Sequence, residues 1–272
     1  MSVITPYDRE ALRAQFRNAQ PFPWLMIDGF LRPEFADAVT RSYPPFDAAV
    51  RVGQQFNAVN ENLKVQVTDY ASFPDPVKQL SDAVSSPQFL EDLSYITGIQ
   101  KLIWDVGFAG GGMHETARSG WLDVHVDFNV HEALAMAHRR LNILVFLNPN
   151  WDERWGGILE LWDKDVKTRV HGVAPIHNRC VVFETSELSW HGVTAVNCPD
   201  DTVRKSFAAY YYTREAPVGW DGQAHSTIFR SRPDEYMKRH VLMPAEAARQ
   251  SVREGVRSAK RAVKRLLSTD SD

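Results

Sequence analysis

The chain has 272 residues, 44% of them hydrophobic and 24% charged, which is enough apolar material for a sizeable core and excludes a disordered polyelectrolyte. A net charge of −3 gives no electrostatic reason for an obligatory nucleic-acid partner. Two cysteines, Cys180 and Cys198, are too few for a disulfide framework or a cysteine-built zinc site and fit a reducing compartment. The opening residues, "MSVITPYDREALRAQF", show no basic start followed by an apolar run, and no segment is long enough to be a transmembrane helix. A soluble, cytoplasmic protein is expected.

In chain order, residues 6–20 predict a short amphipathic helix and "PWLMIDGFL" (23–31) a strand. "RPEFADAVTRSY" (32–43) predicts a helix with Pro33 in its first turn. Residues 45–72 carry no clear period. "DPVKQLSDAV" and "PQFLEDLSYITG" read as two further helices, the second closing at Gly98. From about residue 101 the pattern changes. "KLIWDVGFA", "GWLDVHVDF", "RLNILVFLN", "GILELWD", "TRVHGVAPI", "RCVVFETS", "HGVTAVN" and "KSFAAYYYT" are short and rich in β-branched and aromatic residues. Turn-prone stretches separate them, so they predict the strands of a sandwich, barrel or jelly roll.

Strand signals stop after residue 215, and "HSTIFRSRPDEYMKRH" reads as irregular. Residues 245–267 read as a helix with an apolar stripe (Val252, Val256, Ala259, Val263, Leu267) and a basic opposite face. That face is either solvated or the contact for a partner or membrane surface. The expected organisation is α+β: a single domain over 1–240, with helical support (1–99) ahead of a β core (about 100–214). A basic amphipathic C-terminal helix and tail would follow over 241–272.

Chemistry concentrates in the β core. In "GWLDVHVDF", His125 and Asp127 are two apart on a predicted strand and share one side of it. His191, in "ELSWHGV", opens a later strand that a rolled-up β core can bring beside them. Two imidazoles and one carboxylate on one face of an ion form the facial triad associated with non-haem Fe(II) oxygenases. Three protein ligands leave open positions for a bidentate oxo-acid and dioxygen. Arg204 and Ser206 share one face of the strand "RKSFAAYYYT", while Lys205 points the other way. A guanidinium beside a hydroxyl suits a carboxylate: a two-toothed fork plus one more donor.

The order His125-x-Asp127, Asn142 in "RRLNILVFLN", "WDERWGGILELWD", His191 and Arg204-x-Ser206 resembles the Fe(II)/2-oxoglutarate-dependent oxygenases, specifically their prolyl-4-hydroxylase-like branch. The resemblance covers about residues 100–214 and extends to the "PFPWLMIDGFL" start. It implies a double-stranded β-helix, a jelly roll, with N-terminal flanking helices and a C-terminal helix. It also implies iron held by His125, Asp127 and His191, and the far carboxylate of 2-oxoglutarate held by Arg204 with Ser206. Asn142 and Phe146 would face the cosubstrate from their strand. Collagen-type members use lysine at the carboxylate, which makes Lys205 a competitor that strand phase disfavours. The implied cofactors are Fe(II), 2-oxoglutarate and O2, with ascorbate in support. The implied reaction is hydroxylation of an unactivated C–H bond, in a prolyl peptide or a small molecule. His114, on "GGGMHETARSG", which reads as a Gly-rich loop ahead of the His-x-Asp strand, is a candidate substrate contact, with Trp121, His131 and Trp190. The alternatives are a non-catalytic jelly-roll module that binds metal and ligand, and a zinc hydrolase, which would leave Arg204 and Ser206 without a task.

Overall fold

Helix α1 (Arg9–Asn18) starts where the Asp8 carboxylate accepts from the backbone N–H groups of Glu10 and Ala11, donors that a helix start leaves free. Strand β1 (Trp24–Asp28) leads to α2 (Pro33–Ser42), which has Pro33 in its first turn. The stretch without a clear period holds α3 (Phe46–Val52) and a hairpin of β2 (Gln54–Phe56) and β3 (Glu61–Val67). Helices α4 (Asp75–Val84) and α5 (Pro87–Thr97) fall where the sequence pattern puts them. Gly98 ends α5 at φ 79°, a left-handed conformation that glycine adopts without a Cβ clash.

The remaining elements are strands: β4 (Ile103–Trp104), β5 (Gly112–Val126), β6 (Val130–His131), β7 (Ala137–Phe146), β8 (Leu159–Trp162), β9 (Arg169–Val173), β10 (Arg179–Glu184), β11 (His191–Val193), β12 (Arg204–Thr213) and β13 (Ile228–Arg230). All of the named pairings are antiparallel, in the main order β1-β10-β7-β12-β5-β11-β8-β9. The sheet curls because β5 belongs to both of its halves. Its first part pairs with β12 and β3, and its last part with β11 and β13. The register slips between the two parts, around the left-handed residue Ser119, and a bulge of this kind bends a strand. The architecture is the α+β jelly roll expected.

Two findings differ from the sequence reading. The "GGGMHETARSG" stretch is mostly strand, not loop, because β3 and β12 pair with it from both sides. Strand signal also does not end at residue 215: Ile228–Arg230 pairs with Val124–Val126. The described residues are 2–244 of this computed structural model. They fall in two units that divide between Arg230 and Ser231, and the basic helix expected over 245–267 lies outside the described residues.

Strand alternation sorts the core. Leu141, Ile143 and Val145 of β7, Cys180 and Val182 of β10, and Phe207, Ala209 and Tyr211 of β12 join Phe16, Leu80 and Leu93 of the helices in the main apolar cluster. Their neighbours Phe146, Val181 and Phe183 pack on the other side with Leu159 and Leu161. That second side is the inside of the curl, and it also receives Asn142, Arg204, Ser206 and Tyr210. The helices therefore back the sheet, and the polar residues of the same strands line its hollow.

Candidate metal centre and cosubstrate pocket

His125 and His191 are cross-strand neighbours in the β5–β11 pair, with ring centroids 4.2 Å apart. His125 Nδ1 donates to the Asp123 carbonyl at 2.8 Å, and His191 Nδ1 donates to the Ser189 carbonyl at 2.9 Å. A carbonyl only accepts, so each ring carries its proton on Nδ1 and, when neutral, presents a bare lone pair on Nε2. Both Nε2 atoms stand 3.6 Å from the Asp127 carboxylate, His125 at Oδ1 and His191 at Oδ2. One ligand atom from each of the three residues lies within 4.8 Å of the others. Burial, with the neighbouring His125, drives the His191 pKa down to about 3, so this imidazole is neutral at physiological pH. A buried set of this kind, nitrogen-rich with one carboxylate, fits a first-row divalent metal.

The carboxylate is itself held. Asn142 Nδ2 donates to Asp127 Oδ2 at 2.7 Å, and Arg139 Nη2 lies 3.1 Å from the same oxygen. Arg139 Nε donates to Asn142 Oδ1 at 2.9 Å, which closes the triangle. The guanidinium is 3% exposed and lies between the Phe128 and Tyr210 rings, 4.7 and 3.5 Å from their centroids. Burial alone would raise the Asp127 pKa, but Arg139 and the two histidines outweigh it and hold the group well below the usual carboxylate range. The sequence reading did not find Arg139. It also placed Asn142 at the cosubstrate, whereas the Asn142 amide is taken up by Asp127 and Arg139.

Arg204 and Ser206 point into the same hollow, as their strand phase predicts, while Lys205 faces the opposite side of the sheet toward the Tyr43 ring. Arg204 is 5% exposed. Its Nε donates to the Gly157 carbonyl at 2.7 Å, and its guanidinium carbon lies 5.1 Å from the Phe146 ring centroid. Among the described residues it pairs with no carboxylate, and burial brings its pKa down to about 10, so it remains a cation at neutral pH. Phe146 is fully buried and serves as the floor under Arg204 without lining the open space.

The hollow is a cavity of about 400 Å3 that holds the triad, Arg139, Arg204 and Ser206 in one lining. The other cation and carboxylate lining it, Lys64 and Glu61, pair with each other at 3.3 Å. Arg139 is matched by Asp127, which leaves Arg204 as the cation without a counter-charge. Of the four candidate substrate contacts, Trp121 and His114 line the cavity. His114 Nε2 donates to the Gly110 carbonyl at 3.0 Å, and burial brings its pKa down to about 3. His131 and Trp190 are placed elsewhere. His131 Nε2 pairs with Asp105 at 3.2 Å while its Nδ1 accepts from the Leu134 N–H. Trp190 packs on Val124, Val126 and Trp162 beneath Arg230. Phe229 of β13 was outside the sequence reading, yet it stands 5.4 Å from the His125 ring and joins the cavity wall.

A curled antiparallel core with this triad defines a class, and residues 111–212 match the family model of the 2OG-Fe(II) oxygenase superfamily. The match covers most of the β core, so this part of the chain is similar to that superfamily. Over 78 residues the chain is 36% identical to the mouse protein "Prolyl 3-hydroxylase OGFOD1", an alignment spanning 27% of this chain and 14% of that relative. The fold is similar to a prolyl hydroxylase of Trichoplax adhaerens solved with a hypoxia inducible factor peptide (TM-score 0.54, 16% identity, 75% of this chain and 90% of that one). It is also similar to a prolyl 4-hydroxylase of Phytophthora capsici (TM-score 0.53, 17% identity, 77% and 67%).

Proposed function

We propose that this protein is an Fe(II)- and 2-oxoglutarate-dependent hydroxylase. The observation that carries the reading is the joint lining of one cavity by the convergent His125, Asp127 and His191 side chains and a buried Arg204 that pairs with no carboxylate among the described residues. His125 and His191 offer Nε2 and Asp127 a carboxylate oxygen to the metal. When bound, the metal supplies the O2 activation that couples conversion of 2-oxoglutarate to succinate and CO2 with hydroxylation of a C–H bond. Arg204 holds the far carboxylate of 2-oxoglutarate through its free N–H groups, with the Ser206 hydroxyl beside it. Arg139 and Asn142 keep the Asp127 carboxylate oriented between turnovers, and the protein contributes a dry, fixed cavity.

The prolyl hydroxylase relatives support a prolyl side chain of a peptide as the first substrate to test. The aromatic walls at Trp121, Phe128 and Phe229 suit packing against a pyrrolidine ring. Release of CO2 from 2-oxoglutarate, dependent on Fe(II) and promoted by substrate, is the expected activity. It should be lost in His191→Ala. If the wild type, loaded with iron, neither binds 2-oxoglutarate nor releases CO2 across a panel of prolyl peptides and small molecules, the reading fails.

Gly157 supplies a finer test. It sits at φ +64°, and a Cβ there would come 2.8 Å from Arg204 Cδ. Gly157→Ala is therefore expected to cost about 1–2 kcal/mol from the strained backbone. It should also weaken 2-oxoglutarate binding by displacing Arg204, with metal affinity unchanged. Thermal unfolding and calorimetric titration on one preparation read both effects.

A further inference from the structure

The faces of β5 and β12 turned away from the cavity carry a second charged cluster. Glu115 lies between His114 and Thr116 on β5, directly opposite Lys205 on β12. Glu115 is 1% exposed, and neither of its carboxylate oxygens has a hydrogen-bond partner among the described residues. The Tyr43 hydroxyl, which feels the Glu115 charge, is likewise buried and unpartnered. Lys205 lines the same cavity as Glu115 and its charge offsets part of the burial penalty on the carboxylate, but no hydrogen bond joins the two. Its ammonium stands over the Tyr43 ring, 5.9 Å from the centroid, and it makes no ion pair among the described residues. An ionised carboxylate left this way is strongly unfavourable unless N–H donors reach it.

Glu115 opens onto a cavity of about 580 Å3, separate from the metal centre and bounded by Phe46, Leu147 and Trp151. Asp47, Asp200 and Asp201 also line it and are exposed to solvent at its mouth; Asp200 pairs with Arg118 at 3.0 Å. The triad is the cluster whose ligand atoms converge on a metal-sized point among the described residues, so these acids do not point to a second metal. They point to an organic cation.

We propose that this cavity is a binding site for a guanidinium group on an aliphatic stem. The two Glu115 carboxylate oxygens offer a pair of acceptors that a planar fork of N–H donors satisfies together. Phe46, Leu147 and Trp151 cover the stem, and the Trp151 ring is a surface on which a guanidinium can stack. The exposed aspartates raise the local concentration of cations at the mouth.

Agmatine carries this group and has no carboxylate, so it does not compete for a 2-oxoglutarate pocket. Calorimetric titration of the full chain with agmatine, at a pH above the Glu115 value of about 7, should show one saturable site. Affinity should fall roughly tenfold or more in Glu115→Gln and about threefold in Asp201→Asn, as expected for a buried and an exposed charge respectively. Glu115→Gln keeps the side-chain shape and removes a buried charge, so it should melt no lower than wild type. Loss of binding in that variant then reports the site and not the fold. A second arm uses the peptide acetyl-Gly-Arg-Gly-amide. Tighter binding of the peptide than of agmatine identifies the occupant as an arginine side chain of a protein, and binding of agmatine alone identifies a free guanidino compound. Both results uphold the site. No saturable binding of either probe up to about 10 mM, or equal agmatine affinity in Glu115→Gln, would overturn it.

Discussion

Arg204→Met is expected to weaken 2-oxoglutarate binding roughly 100-fold or more, the cost of removing one partner from a buried charge pair, while the affinity for the metal itself stays within about twofold of wild type. The physical argument is the isolation of this guanidinium. It is buried and, among the described residues, has the Gly157 carbonyl on its Nε and the Phe146 ring beneath it, with no carboxylate partner. Its pKa, brought down to about 10 by burial, still leaves it charged at pH 7. A carboxylate arriving there finds a cation already stripped of water, and the pair forms where the local dielectric makes it strong. Arg204→Lys should fall between the two: it keeps a charge but loses the fork and the contact with Gly157. Titration of 2-oxoglutarate into the Mn(II)-loaded protein, which binds without turnover, separates this effect from chemistry. If Arg204→Met binds 2-oxoglutarate as wild type does, the far carboxylate is held by another group, and Lys64, also in the cavity lining, becomes the candidate.

The parts of this site legible in the sequence are those governed by unbroken strand alternation. His125 and Asp127 share a side because nothing interrupts β5 between them, and Arg204 and Ser206 share one for the same reason on β12. Arg139 was hidden by a broken phase. Counting back from Asn142, simple alternation puts Arg140 inside the curl and Arg139 outside. The ladder instead pairs Tyr211 with Leu141 and Tyr212 with Arg139, so Arg140 is the extra residue of a bulge and Arg139 turns inward beside Asp127. A one-residue slip reverses every side chain beyond it, and the "HRRLN" sequence carries no mark of where the slip falls. His114 was misplaced for another reason. Three glycines read as a loop, but β3 and β12 supply partners on both edges, and tertiary pairing overrides the local signal. The three-residue β13 is too short to show any period, yet it brings Phe229 over His125.

Arg139→Met is expected to destabilise the metal-free protein by about 3–5 kcal/mol, because it leaves a buried carboxylate without its cation. For a folded unit of this size that corresponds to a drop of roughly 10 °C in Tm. The Phe128 and Tyr210 rings lose their shared cation in the same step. Asp127 would keep one strong donor, the Asn142 amide at 2.7 Å, which orients the carboxylate but does not neutralise it. A divalent ion on the triad supplies the missing positive charge. Saturating Mn(II) should therefore recover much of the lost stability, and should raise the Tm of Arg139→Met by more than it raises that of wild type. The double variant Arg139→Met/Asp127→Asn removes both charges. It should melt closer to wild type without metal and gain little when Mn(II) is added. Differential scanning calorimetry of the four proteins, each with and without Mn(II), reads the whole cycle. An Arg139→Met protein that melts within about 1 °C of wild type would mean that Arg139 and Asp127 are not coupled in the folded protein. A metal response equal in all four would mean that Asp127 is not a ligand. The distinctive outcome is the exchange of one buried cation for another: in its resting state the protein carries Arg139 as the counter-charge to Asp127, and metal binding makes that counter-charge dispensable for the fold while Arg139 continues to orient the carboxylate.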